Sequence, residues 1–150
     1  MADFTSYMGL ALDEARAAAA RGEVPVGAVV TDPGGRVVAS AGNRTRADCD
    51  PTAHAEILAI RAACARAGSQ RLPGHALWVT LEPCPMCAAA ISAARIETLY
   101  FGAEDPRMGG VIHGARVFQH KQCHHRPQIF DGIRADEASG LLRAFFHERR

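Results

Sequence analysis

The run Leu77-Trp78-Val79-Thr80-Leu81 constrains the fold more than any other stretch of the chain. It carries no charge and shows no apolar–polar alternation, so within His75–Leu81 it reads as a strand buried on both faces. Helical patterns lie on either side of it. Residues 4–20 place Phe4, Met8, Ala11, Leu12, Ala15, Ala18 and Ala19 at three- and four-residue steps, one helix face, with Gly22 to end it. Residues 54–67 read as a second helix, with Ile57, Leu58 and Ile60 among alanines and Gly68 as the stop. Residues 85–95 look helical, and Asp136 to Arg149, with Leu141, Leu142, Phe145 and Phe146, reads as a closing helix.

Four further segments read as strands. Val24 to Val30 and Arg36 to Ser40 are β-rich and flank Asp32-Pro33-Gly34-Gly35, a strong turn sequence, which predicts a hairpin. Thr98 to Phe101 and the short Gln128-Ile129-Phe130 follow the covered strand, and the alternation of strands with helices from residue 70 onward predicts parallel pairing through right-handed crossovers. At 150 residues, without repeat, linker or low-complexity tail, the chain is expected to be a single domain, 1–150, with one core. Its apolar residues, 48% of the total, are interrupted too often to reach the roughly 18 of a membrane span. Met1 to Ser6 lack a basic segment leading into an apolar stretch, so no secretory leader is expected and the cytoplasm is the default location.

Five cysteines in such a chain, Cys49, Cys64, Cys84, Cys87 and Cys123, point to free thiols or a metal rather than disulfides. Two fragments about thirty residues apart sharpen this: His54-Ala55-Glu56 at the start of the second helix, and Pro83-Cys84-Pro85-Met86-Cys87 where the covered strand meets the third helix. Two thiolates and an imidazole make a three-ligand zinc set whose fourth tetrahedral position stays open to water, as in a catalytic site. A helix N-terminus at Cys84 and Cys87 favours the thiolate form that binds metal. His54 and Glu56, two positions apart, converge only near the first turn of a helix, and Asp50-Pro51-Thr52 supplies helix-start chemistry there. Taken alone, the Cys-x-x-Cys fits a redox pair, structural zinc or catalytic zinc equally; joined to His54-Ala55-Glu56 and flanked by Pro83 and Pro85, it favours catalytic zinc.

These fragments form the signature of the zinc deaminases. The sequence resembles the bacterial tRNA adenosine deaminases over most of its length: in Glu23 to Val29, Asn43-Arg44, Asp50 to Ile57, Val79 to Cys87, Phe101-Gly102-Ala103 with Asp105, and Phe145-Phe146 ahead of Arg149-Arg150. The resemblance implies a cytidine-deaminase-like α/β fold, a three-layer α/β/α arrangement about a central mixed five-stranded sheet. It also implies a homodimer with one zinc per subunit, and hydrolysis of adenosine to inosine at the wobble position of a tRNA anticodon stem-loop. His54, Cys84 and Cys87 would hold the metal. Glu56 would shuttle protons, because expelling an amino group requires delivery to the ring nitrogen and to the departing nitrogen. Asn43 and Ala55 would meet the purine, Asp105 would lie beside the nucleotide backbone, and Arg107 would contact phosphate.

The net charge of +1 gives no global attraction to nucleic acid, so RNA binding would need a local patch; Arg44, Arg46, Arg107, Lys121 and Arg126 are candidates, against a plain scatter of solvated charge. Residues 106–127, with His113, His120, Cys123, His124 and His125, match no motif. A polar surface loop is favoured there over a second metal site, since the spacing lacks a paired ligand motif. Trp78 reads as core rather than as a base-stacking platform. Gly27 either admits substrate to the backbone or permits tight packing. Two rival functions share parts of the pattern: a deaminase of a free base or nucleoside such as guanine or cytosine, and a non-enzymatic zinc or redox module in which Cys123 or a late histidine joins Cys84 and Cys87.

Overall fold

A computed structural model describes residues 5–149; Phe4 of the first helical pattern and the terminal Arg150 lie outside the described residues. The elements in chain order are α1 (Met8–Ala20), β1 (Gly27–Thr31), β2 (Val37–Gly42), α2 (Ala55–Ala67), β3 (Ala76–Leu81), α3 (Pro85–Ala93), β4 (Thr98–Ala103), β5 (Gln128–Phe130) and α4 (Ala135–Glu148). The strands form one sheet in the order β2-β1-β3-β4-β5. β1 is antiparallel to both β2 and β3, while β3, β4 and β5 run parallel, so the sheet is mixed and the expected hairpin and parallel crossovers are both present.

β3 is covered on both faces, as its composition demands. Leu77 and Val79 join a cluster with Ala55, Ala59, Ile60 and Ala63 of α2 and Ala88 and Ile91 of α3. Trp78 points the other way, into a cluster with Met8, Ala11 and Leu12 of α1 and Ala138 of α4. Its ring stacks on Tyr100 at a centroid separation of 3.8 Å and meets Tyr7 edge-on at 5.6 Å, so Trp78 is core. Two helices on each face of the sheet make the three layers.

Element ends differ from the sequence pattern for local reasons. α1 starts at Met8. β1 starts at Gly27 rather than Val24, because Pro25 has no N–H to donate and the Val26 N–H turns back to the Val24 carbonyl at 2.8 Å. β2 runs on to Gly42 and β4 to Ala103. Between β4 and β5 the chain has turns and one short 3-10 helix, Val117–Gln119.

Gly27 and Gly42 are register partners, and together they form the slot in which α1 lies. A Cβ on Gly27 would strike the Ala11 carbonyl oxygen and come within 2.6 Å of the Ala15 nitrogen; one on Gly42 would come within 2.7 Å of the Glu14 carbonyl oxygen. Close packing on α1 therefore accounts for Gly27. Gly27→Ala is expected to destabilise the protein by roughly 1–3 kcal/mol, the usual cost of overpacking. Thermal unfolding checks this, and a melting temperature equal to the parent's would refute the tight-slot account.

Candidate active site

Two helix starts meet on the α2/α3 side of the sheet. Beyond β3, Cys84 occupies the N-cap of α3 in an extended conformation (φ −70, ψ 171) with Pro85 next to it, where the missing proline N–H leaves no helical bond unmade. Cys87 follows in the first turn. His54 is the N-cap of α2, also extended (φ −73, ψ 151), while Glu56 lies within the first turn. That change of backbone conformation brings the two side chains together despite their spacing. Asp50 does not cap α2: its Oδ1 accepts from the Thr52 N–H at 2.8 Å and the Thr52 hydroxyl at 2.7 Å, closing the preceding loop, and α2 has no side-chain cap.

His54 Nδ1 lies 3.6 Å from Cys84 Sγ and 3.4 Å from Cys87 Sγ. Tetrahedral zinc with ordinary bond lengths separates its sulfur and nitrogen ligands by about 3.6 Å. The donor set therefore fits zinc in both chemistry and span. Among the described residues, these three form the one group of His, Cys, Asp and Glu side chains close enough to share a metal ion, with ligand atoms all within 4.8 Å of one another.

Hydrogen bonding explains the electrostatics of the triad. Cys84 is held down to about 4, chiefly by the Cys87 thiol donating to it, against the opposing effect of burial and with help from His54 and the Cys87 N–H at the helix start. Cys87 is pushed up because its thiol donates to the Cys84 thiolate and burial disfavours a second thiolate. The bond to Cys84 raises His54. Burial pushes the Glu56 carboxyl up, against the smaller opposing effects of its own N–H and His54. Glu56 is 4% exposed, so its carboxyl readily takes a proton.

A cavity of about 240 Å³ opens over this group, lined by Val24, Val26, Asn43, Thr45, His54 and Glu56. Asn43 is thus brought to the metal ligands, whereas Ala55 is fully buried in the core and does not line the cavity. Asp105 and Arg107 lie elsewhere, in a separate depression with Met108 of the same loop and Leu142 and Phe146 of α4. Asp105 Oδ1 accepts from the Arg107 and Met108 N–H groups at 3.2 and 3.0 Å, fixing the turn that leaves Arg107 exposed. Val24, Val26 and Thr45 were not expected at the cavity. Pro25, which ends strand pairing there, is the signal for the first two; Thr45 carries none beyond its nearness to Asn43.

The His/Cys-rich stretch forms no second metal centre among the described residues. Cys123 donates to the His125 carbonyl at 3.0 Å, the His125 ring to the Ile96 carbonyl at 2.6 Å, and the His120 ring to the Ala115 carbonyl at 2.6 Å. These side chains brace a loop. None joins Cys84 and Cys87, so the closed zinc or redox module has no fourth protein ligand among the described residues. Of the candidate basic residues, Arg44 is paired with Asp48 at 3.1 Å and Arg46 donates to the Gly22 carbonyl at 3.3 Å.

Known proteins share this arrangement. Residues 1–103 match the family described as the cytidine and deoxycytidylate deaminase zinc-binding region. The tRNA-specific adenosine deaminase of Agrobacterium fabrum (strain C58) is 56% identical over 151 residues, spanning 100% of this chain and 98% of that protein. That of Bacillus subtilis (strain 168) is 42% identical over 144 residues, 96% of this chain and 89% of the relative. A solved structure from work on A-to-I editing by tRNA:A34 deaminases at the wobble position of transfer RNA aligns with a TM-score of 0.89 at 55% identity, covering 91% of this chain and 98% of that one. A guanine deaminase from Bacillus subtilis aligns with a TM-score of 0.65 at 36% identity over 69% of this chain and 66% of that one.

Proposed function

Because the chain belongs to the family of the cytidine and deoxycytidylate deaminase zinc-binding region, we infer from its site that it hydrolyses adenosine to inosine at the wobble position of tRNA. The observation that carries this is a buried Glu56 beside a three-donor zinc set at the base of a cavity of about 240 Å³, in a chain matched over its whole length by a tRNA-specific adenosine deaminase.

His54, Cys84 and Cys87 would hold one zinc per chain. Bound there, zinc would supply Lewis acidity, which can bring the pKa of water near 7. The residues do the rest. Glu56 takes one proton from the attacking water and delivers it to the purine ring nitrogen, then takes the remaining proton of the added hydroxyl and delivers it to the departing amino group as the carbonyl forms and ammonia leaves. Asn43 orients the base from the cavity wall, and Ala55, buried behind it, fixes the start of α2 between His54 and Glu56. Asp105 and Arg107 meet the sugar–phosphate backbone of an anticodon stem-loop, whose target base leaves its stack at small cost because the loop is already splayed.

We further propose that the whole chain, 1–150, is one deaminase domain acting as a homodimer in the cytoplasm. A single sheet covered on both faces supports the first. The dimer rests on the resemblance and on an uncovered groove of about 580 Å³ bordered by the exposed Ala89 and Ala93 of α3. No helix among the described residues is long and apolar enough to cross a membrane. Sedimentation of the zinc-loaded protein tests the dimer.

The deciding experiment compares inosine formation in a stem-loop with A at the wobble position against ammonia release from guanine, cytosine, adenosine and cytidine. Efficient turnover of free guanine or cytosine with an untouched stem-loop at low salt would leave only the zinc deaminase. Arg107→Ala is expected to weaken stem-loop binding and to shallow the salt slope by about one unit, the signature of one lost phosphate contact. Zinc content should be unchanged. An unaltered slope would remove Arg107 from the RNA surface.

A further inference from the structure

Glu82 lies just past the end of β3, two residues before Cys84, and its side chain is wholly shielded from solvent. A buried carboxylate needs compensation. Among the described residues the nearest basic group is the His113 ring, with Nε2 at 3.9 Å. The compensation is backbone: Oε1 accepts the Asp105 N–H at 3.0 Å, and Oε2 accepts the N–H groups of Val111, Ile112 and His113 at 3.1, 3.0 and 3.0 Å. Three successive amides on one oxygen form the kind of backbone nest that ordinarily receives an external anion. Here the anion is internal.

The four donors come from the two ends of the segment 105–113. Both ends are drawn onto one carboxylate, so the residues between them must turn outward, and Pro106, Arg107 and Met108 are the exposed part of that excursion. Gly109 passes directly against Glu82: a Cβ there would collide with Oε2 and lie within 2.5 Å of the Asp105 carbonyl oxygen. The Gly110 N–H donates to the Pro83 carbonyl at 2.8 Å, tying the same segment to the residue before Cys84. No residue of 105–113 lies in a helix or strand.

We infer that Glu82 is a positioning residue for the RNA substrate: its carboxylate templates loop 105–113 and so sets where Asp105 and Arg107 stand relative to the zinc ligands. This rests on the reading above that the loop meets RNA. An anchored loop binds without first being ordered, so losing the anchor should appear in binding rather than in the chemical step.

Glu82→Gln keeps the shape but replaces one acceptor oxygen with an amide that faces N–H donors. It is expected to raise KM for the wobble-A stem-loop by roughly tenfold or more while turnover at saturation stays within about threefold and zinc remains bound. Gly109→Ala, which keeps the Glu82 carboxylate but drives a methyl between it and the loop, should give the same split. In the unaltered protein, amide exchange at Asp105, Val111, Ile112 and His113 should be slower than at Gln122 and His124 by about 100-fold or more, and this protection should collapse in Glu82→Gln. Unprotected amides in the parent, or unchanged KM in both variants, would overturn the proposal, as would loss of zinc and turnover at constant KM. If Glu82→Gln does not fold, Gly109→Ala and the exchange pattern of the parent decide. If the parent makes no inosine in the stem-loop, the RNA reading fails, while the exchange measurement still tests the templating itself.

Discussion

Glu56→Ala is expected to retain zinc and fold while losing deamination by at least the roughly 10²- to 10⁴-fold that general acid–base assistance provides. Glu56 lines the cavity but is not one of the three residues whose donor atoms are grouped to hold the metal, so removing it leaves His54, Cys84 and Cys87 in place. A larger loss would be natural, because one carboxylate serves four proton transfers: from water, to the ring nitrogen, from the added hydroxyl and to the leaving amine. Burial supports the role, since it pushes the carboxyl up and makes the protonated form accessible between transfers. Single-turnover inosine formation on a wobble-A stem-loop, run beside metal analysis, checks this. Activity within a few-fold of the parent would remove Glu56 from the mechanism, and loss of zinc would make it a metal residue instead.

Cys87→Ala should take the metal from about one zinc per chain to nearly none, and activity with it. Three protein ligands leave no redundancy, and two of them cannot maintain the closed side of a tetrahedral site. Cys87 is also fully buried in the first turn of α3, so the variant loses packing along with a ligand. A drop in melting temperature would therefore not by itself identify the metal's share. The parent stripped with a chelator separates the two effects, because it loses the metal and keeps the side chain. Undiminished zinc in Cys87→Ala would overturn the ligand assignment.

How much of this was legible in the sequence depends on the range of the interactions involved. The hairpin was readable because its turn is local: Asp32 Oδ1 accepts from the Gly34 and Arg36 N–H groups, both at 2.9 Å, and Gly35 supplies a φ of +80. β3 was readable because burial on both faces leaves no room for charge. The ligand set was readable because each half lies within a few residues at a helix start. The cavity wall was not, since Val24 and Val26 look like strand and leave the sheet only because of Pro25. Nor was loop 105–113, whose shape is set by a carboxylate 23 to 31 residues upstream, a relation that no local pattern records.

The helices that deliver the zinc ligands pack largely through alanine. Ala55, Ala59 and Ala63 of α2 and Ala88 of α3 are at most 1% exposed. An alanine has no rotamer with which to absorb a larger neighbour, so an added methyl at these positions must be met by a shift of a helix axis. That shift would move His54 or Cys84 directly, because both stand at the ends of those axes. Tolerance to inherited change should therefore run opposite to residue size along these two helices: the plainest side chains are the ones natural variation can least afford to alter.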